Sequence, residues 1–160
     1  MRFTVFTPTF NRAHTLSRPY ESLCAQAFRD FEWLIVDDGS QDGTREQVAR
    51  WMAAGDITIR YLWQENGGKH RAFNRGVREA RGELFVPLDS DDWCTPDALA
   101  RFDAHWSAIP SARRALFSGV GCLCRDEAGQ IVGAPFPASP LDASLFSLLR
   151  ARQLVGEKWG

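Results

Sequence analysis

The chain has little of what marks several large functional classes. The apolar start over residues 3–10 is interrupted by Thr4 and Thr7 and flanked by Arg2 and Asn11, so it makes neither a signal-peptide core nor a membrane span. There is no excess of positive charge: Lys and Arg number 19 against 20 Asp and Glu, a formal net charge of -1. Nucleic acid and anionic membranes are therefore not expected partners. The four cysteines, Cys24, Cys94, Cys122 and Cys124, include no Cys-x-x-Cys pair and have no histidine at zinc-finger spacing, which leaves reduced, mostly buried thiols as the expectation. No strand is followed by Gly-x-Gly-x-x-Gly. A P-loop fails because His70 follows Lys69 where Ser or Thr is required and Trp63 takes the place of the first glycine. An EF-hand from Asp89 fails because Cys94 replaces the turn glycine and Ala100 the bidentate glutamate. Internal repeats, low-complexity tracts and dividing linkers are missing too. A single domain over 1–160 is expected, cytoplasmic and at most peripheral to the inner face of a membrane.

What is present is an alternation of strand-like and helix-like segments. Strands are predicted over 3–7, 31–36, 57–62 and 84–88 from β-branched and aromatic content, with helices over 17–27, from 42–44 onward, and from 69 to a glycine stop at Gly82. In the third helix Phe73, Val77 and Ala80 are expected on the core side, leaving Arg71, Arg75 and Arg78 in solvent. Four strands alternating with helices imply an α/β fold, a doubly wound and mostly parallel sheet with helices on both faces. After a helix from Pro96 through Trp106 the pattern changes. Residues 115–124 and 130–132 about the turn 126–129 read as a C-terminal antiparallel hairpin, and 141–150 as a short amphipathic helix. Most of the six tryptophans are expected in core or rim packing.

Parallel strands put all their carboxyl ends at one edge, so three chemically loaded loops converge there: 7–12 (Thr-Pro-Thr-Phe-Asn-Arg), 36–40 (Val-Asp-Asp-Gly-Ser) and 89–92 (Asp-Ser-Asp-Asp). The loop 66–70 (Asn-Gly-Gly-Lys-His) joins them. Three carboxylates within four residues repel one another, and a hard divalent cation with oxygen ligands is the usual way to make such a cluster tolerable. An aromatic face, a carboxylate, a lysine and such a cluster together suit a nucleotide diphosphate.

This set of motifs, in this order and with Asn74-Arg75-Gly76, resembles the inverting family 2 glycosyltransferases of the GT-A fold. The resemblance implies a nucleotide-diphospho-sugar donor, a UDP-sugar above all, and an acceptor hydroxyl of a glycan, lipid or polysaccharide. It further implies that Pro8, Phe10 and Asp38 hold base and ribose, with Phe10 in place of the commoner tyrosine. Lys69 approaches the donor, standing in for the arginine of the family's Ala-Arg-Asn, here Ala72-Phe73-Asn74. Asp89 lies near the ribose, and Asp91 and Asp92 meet the diphosphate through Mn2+ or Mg2+. Core packing for Phe10 and capping of the next helix for Asp37 and Asp38 are the competing readings. Inversion also needs a general base, and none is recognisable. Glu157 resembles a segment lying before that base and reads better as an ordinary glutamate. On this reading 1–110 is the donor-binding half and 111–160 the start of an incomplete acceptor half, whose uncovered sheet edge suggests a homodimer. A non-catalytic nucleotide-sugar-binding module is the alternative. A sugar-1-phosphate nucleotidyltransferase would need a glycine-rich loop after the first strand, and residues 7–12 contain no glycine.

Overall fold

The computed structural model describes residues 1–133, 135, 136, 138 and 141–144. The chain divides into two units, Met1–Pro110 and Ser111–Gly160. In the first, β1 (Phe3–Thr9), α1 (Ser17–Cys24), β2 (Phe31–Asp37), α2 (Thr44–Ala54), β3 (Ile59–Trp63), α3 (Lys69–Glu79), β4 (Leu84–Pro87) and α4 (Ala98–Ala108) succeed one another. The sheet has the order β3-β2-β1-β4 and every pairing is parallel. β1 and β2 are buried along their whole length because the sheet is covered on both faces, whereas the flanking β3 and β4 are partly exposed.

The two-residue period of the strands sorts the core into two clusters. Phe3, Val5, Trp33, Ile35 and Ile59 meet Leu23 of α1, Val48 of α2 and Leu99 of α4, while Phe6, Leu34 and Val36 meet Ala72 of α3. Trp33 and Trp51 join the first cluster, the ring of Tyr20 stacking on Trp51 at 4.3 Å, and Trp63 and Trp93 are about half exposed. The doubly wound arrangement is thus present. Among the described residues no helix is long and apolar enough to cross a membrane.

One face of α3 differs from its predicted orientation. Its buried residues are Ala72 and Gly76, whereas Val77 is 51% exposed and Phe73 37% exposed. Phe6 lies so close under the helix that a Cβ on Gly76 would stand 2.2 Å from its ring, so small residues and not large ones face the sheet. Phe73 instead packs edge-on against Phe6 and Phe85. Arg75 is half-buried and donates to the Trp63 carbonyl at 2.8 Å, so it does not belong to a solvated stripe. The predicted glycine stop is also displaced: Ala80 ends the helix in extended conformation, and Gly82 is needed because a Cβ there would meet the β1 backbone at 2.4 Å.

A buried ionic network closes the opposite end of this face. Glu32 is fully buried and accepts from the Thr4 hydroxyl at 2.8 Å, the Arg81 N–H at 3.1 Å and the Arg60 guanidinium at 3.0 Å. Arg60 reaches onward to the Glu79 carbonyl at the end of α3.

In the second unit the hairpin reduces to its turn. The Gly129 N–H donates to the Asp126 carbonyl and the Gln130 N–H to the Asp126 carboxylate, but only one antiparallel bridge, Arg125 with Ile131, flanks them among the described residues. Residues 111–116 form a 3-10 helix where a strand was expected to begin, and Gly119 and Gly121 weaken any strand in the segment after it. Two short strands with no packed face are too weak to persist. Cys122 and Cys124 are exposed, contrary to expectation, while Cys24 and Cys94 are half-buried. Of the helix predicted over 141–150, residues 141–144 are not helical and the remainder lies outside the described residues, as does Glu157.

Candidate functional site

The carboxyl ends of β1, β2 and β4 are locked together before any ligand is considered. The Leu88 N–H donates to the Phe6 carbonyl at 2.8 Å and the Asp38 N–H to the Thr9 carbonyl at 2.8 Å. The Thr7 hydroxyl accepts from the Trp33 indole at 2.9 Å and donates to the Leu88 carbonyl at 2.8 Å, immediately ahead of the acidic turn. Beyond β1 the chain is bolted to the loop after β2. Asn11 adopts a left-handed φ of 52°, its N–H reaches Ser40 Oγ at 2.8 Å, and its side chain accepts from the Gln41 N–H at 2.8 Å. Asp42 accepts from the Ala13 N–H at 3.0 Å and the Thr44 N–H at 3.1 Å. Burial pushes the Asp42 carboxyl up, but these bonds and that from the Thr44 hydroxyl outweigh it and hold its pKa below the usual range.

These loops enclose an open cavity of about 540 Å3. Pro8, Phe10, Asp38, Lys69, Asp89 and Asp91 all line it, so six residues singled out from the sequence are brought to one place. Asp92 stands on the same turn, its N–H bonded to the Asp89 carbonyl at 3.1 Å. Phe10 is 46% exposed and is not a core residue. A second cavity, lined by Phe31, Gly55, Ile57 and Ile59 among others, lies where β2 and β3 begin and gathers none of these loops.

Neither Asp37 nor Asp38 caps the following helix, whose N-cap is Gly43; Asp42, one residue before it, accepts from the first helical N–H, that of Thr44. Asp37 is fully buried and accepts from the Ser40 N–H and the Tyr61 hydroxyl. Burial first, and then this bond, push the Tyr61 hydroxyl above its usual pKa. Asp38 is 4% exposed and accepts from the Gln64 side chain at 2.6 Å, the Gly67 N–H at 3.1 Å and the Gly68 N–H at 2.7 Å. It therefore organises the glycine loop as well as bordering the cavity. Gly68, at φ 95°, makes the turn from which α3 starts and so places Lys69 at the cavity.

Two cations face the acidic turn across the cavity. Lys69 Nζ lies 2.8 Å from Asp89, and the Arg12 guanidinium 3.8 Å from Asp91. Asp92 is exposed as a residue, but its carboxyl is partly desolvated, and that is the largest cause of a pKa above the usual range, followed by the negative charges of Asp91 and Asp89, with Lys69 opposing. Among the described residues no three His, Cys, Asp or Glu side chains converge to hold a metal ion. Asp91 and Asp92 nonetheless supply hard oxygen donors in a place with surplus negative charge, a donor set that fits a divalent cation sharing its coordination with a ligand.

Arg12, Asn66 and Ser90 also line the cavity, and sequence reasoning did not single them out as site residues. Each lies inside or beside a motif that was recognised, but spacing in a loop does not tell which way a side chain points. Thr9, which also lines the cavity, carries a buried hydroxyl without a hydrogen-bond partner among the described residues.

Residues 4–112 match the family model described as glycosyl transferase family 2. An uncharacterized glycosyltransferase of Nostoc sp. is 38% identical over 101 residues, 63% of this chain and 31% of that protein. Another, from Rickettsia conorii, is 30% identical over 153 residues, 92% of this chain and 24% of its own. Among solved structures, S. aureus TarS 1-349 in complex with UDP-GlcNAc shares 29% identity at a TM-score of 0.61, over 67% of this chain and 32% of that one. The mannosyltransferase PcManGT from Pyrobaculum calidifontis, in complex with GDP-Man and Mn2+, shares 35% at 0.62, over 69% and 33%. The chain spans about a third or less of the length of each of these relatives. With the family model covering most of the parallel α/β unit and the cavity at its strand exits, the chain belongs to glycosyl transferase family 2.

Proposed function

We propose that this chain binds the donor in a metal-dependent, inverting transfer of a sugar from a nucleotide diphosphate sugar to an acceptor hydroxyl. The observation that carries this reading is the convergence of Pro8, Phe10, Asp38, Lys69, Asp89 and Asp91 on one cavity at the carboxyl edge of a parallel sheet. Phe10 offers its exposed ring to the base, and Asp38 with the amide-rich glycine loop borders the base and ribose. Asp89 serves the ribose side of the acidic turn. Asp91 and Asp92 would hold Mn2+ or Mg2+, which when bound stabilises the charge developing on the diphosphate leaving group. Lys69 carries positive charge to the same place. UDP is the favoured nucleotide, in line with the UDP-GlcNAc complex of TarS; the GDP-Man complex of PcManGT makes GDP the comparison to run beside it.

Isothermal titration with UDP, GDP and their sugars, with and without Mn2+, tests the reading. Saturable binding that requires the metal is expected, and Asp91→Asn or Asp92→Asn should weaken it by about tenfold or more, as the loss of a charged metal ligand implies. Absence of binding, or binding indifferent to both metal and substitutions, would sink the proposal. Nucleotide release on addition of acceptor marks an enzyme; donor binding without release marks a nucleotide-sugar-binding module.

A further inference from the structure

Arg12 stands out among the basic groups around the cavity because its main chain is fixed while its side chain is not committed. On one side the Asn11 N–H is bonded to Ser40 Oγ, and on the other the Ala13 N–H to Asp42. The backbone that carries Arg12 is therefore tied twice to the loop after β2. Its guanidinium lines the cavity, and among the described residues its one charged partner is Asp91 at 3.8 Å, too long for a hydrogen bond. Neighbouring cations are better satisfied: Lys69 lies 2.8 Å from Asp89, and Arg75 holds the Trp63 carbonyl. A planar fork of five N–H donors, on an anchored loop and beside a carboxylate it touches only electrostatically, is suited to bidentate recognition of phosphate oxygens.

We infer that Arg12 is a diphosphate-binding residue that rests against Asp91 in the free protein and turns to the donor phosphates when Asp91 is engaged by a divalent cation. The inference rests on the nucleotide-diphosphate reading of the cavity. The Arg12 charge offsets Asp91 while the site is empty of phosphate; once a cation takes over that task, the guanidinium is repelled by it and attracted to the phosphate. The same side chain thereby couples the order of binding, because cation and guanidinium compete for Asp91 until a diphosphate is present.

The test compares wild type with Arg12→Gln and Arg12→Lys in two titrations: Mn2+ alone, followed by electron paramagnetic resonance, and UDP in the presence of Mn2+, followed by calorimetry. Arg12→Gln is expected to weaken UDP by about tenfold or more, the scale of one lost charge-assisted bidentate contact, while Mn2+ alone binds as well as in wild type or more tightly. Arg12→Lys, which keeps the charge and loses the fork, should fall between. Unchanged UDP affinity in Arg12→Gln overturns the inference, as does a parallel loss of Mn2+ and UDP affinity, which would mean that the loop itself had been damaged. Failure of the wild type to bind UDP is a different result: it removes the nucleotide reading of the cavity and this inference with it.

Discussion

Burial of charge decides the role of individual acidic residues in this molecule. Glu32, Asp37 and Asp38 are all buried, yet each has its carboxylate oxygens filled by donors from other parts of the first unit. Glu32 is the furthest from the cavity chemistry and joins β1, β2, β3 and the end of α3 through Thr4, Arg60 and Arg81. Removing one partner of such a network leaves the other charge without compensation. Glu32→Ala should therefore lower stability by about 3–5 kcal/mol. Urea unfolding measures the loss, and a change under about 1 kcal/mol would show that Arg60 relaxes into solvent instead. This network was not legible in the sequence. Glu32 is one polar residue in a strand otherwise read as apolar, and its partners lie 28 and more positions away.

At the scale of the elements, α3 shows why periodicity located a helix but not its buried face. The large apolar side chains of Phe73 and Val77 suggested one stripe, whereas the helix buries another, that of Ala72 and Gly76. The deciding factor is the sheet below, where Phe6, Leu34 and Val36 already fill the space and only Ala72 and Gly76 fit against them. Gly76→Ala puts this packing to the test. In a free helix the change is favourable by about 1 kcal/mol. Here the added methyl would meet three atoms of the fully buried Phe6 ring, the nearest at 2.2 Å, and must push α3 off the sheet. A net destabilisation of about 1–3 kcal/mol is expected from such overpacking. Because α3 begins at Gly68 and carries Lys69, the same shift should weaken nucleotide binding, which a thermal melt and a titration on one sample would register together. The loops at the strand exits were far more legible. Pro8, Phe10, Asp38, Lys69, Asp89 and Asp91 reach one cavity because parallel strands leave no other place for them. The side-chain engagements within it, such as Asp38 with Gly67 and Gly68, depend on loop conformation, which spacing does not specify.

For the molecule as a whole, the division at Pro110 separates a unit that carries its own core from the residues after it. Among the described residues, all four strands, the four α-helices, both hydrophobic clusters and the lining of the candidate cavity fall within Met1–Pro110. The alternation that made this part readable is a repeated local pattern, whereas the hairpin expected after it rested on one turn and two isolated strand-like segments, and a turn without a packed face does not hold strands together. Among the described residues β3 and β4 each pair on one side only, so both are edge strands. A unit of this size with two buried clusters is large enough to fold alone. A fragment ending at Pro110 is therefore expected to unfold in one cooperative transition and to bind UDP with Mn2+ within about threefold of the whole chain, since every residue assigned to the donor is retained. Circular dichroism melts and calorimetry on the fragment and the full 160 residues make the comparison. A broad, non-cooperative melt would mean that the second unit completes the first core. A cooperative melt with lost binding would place part of the donor site after Pro110.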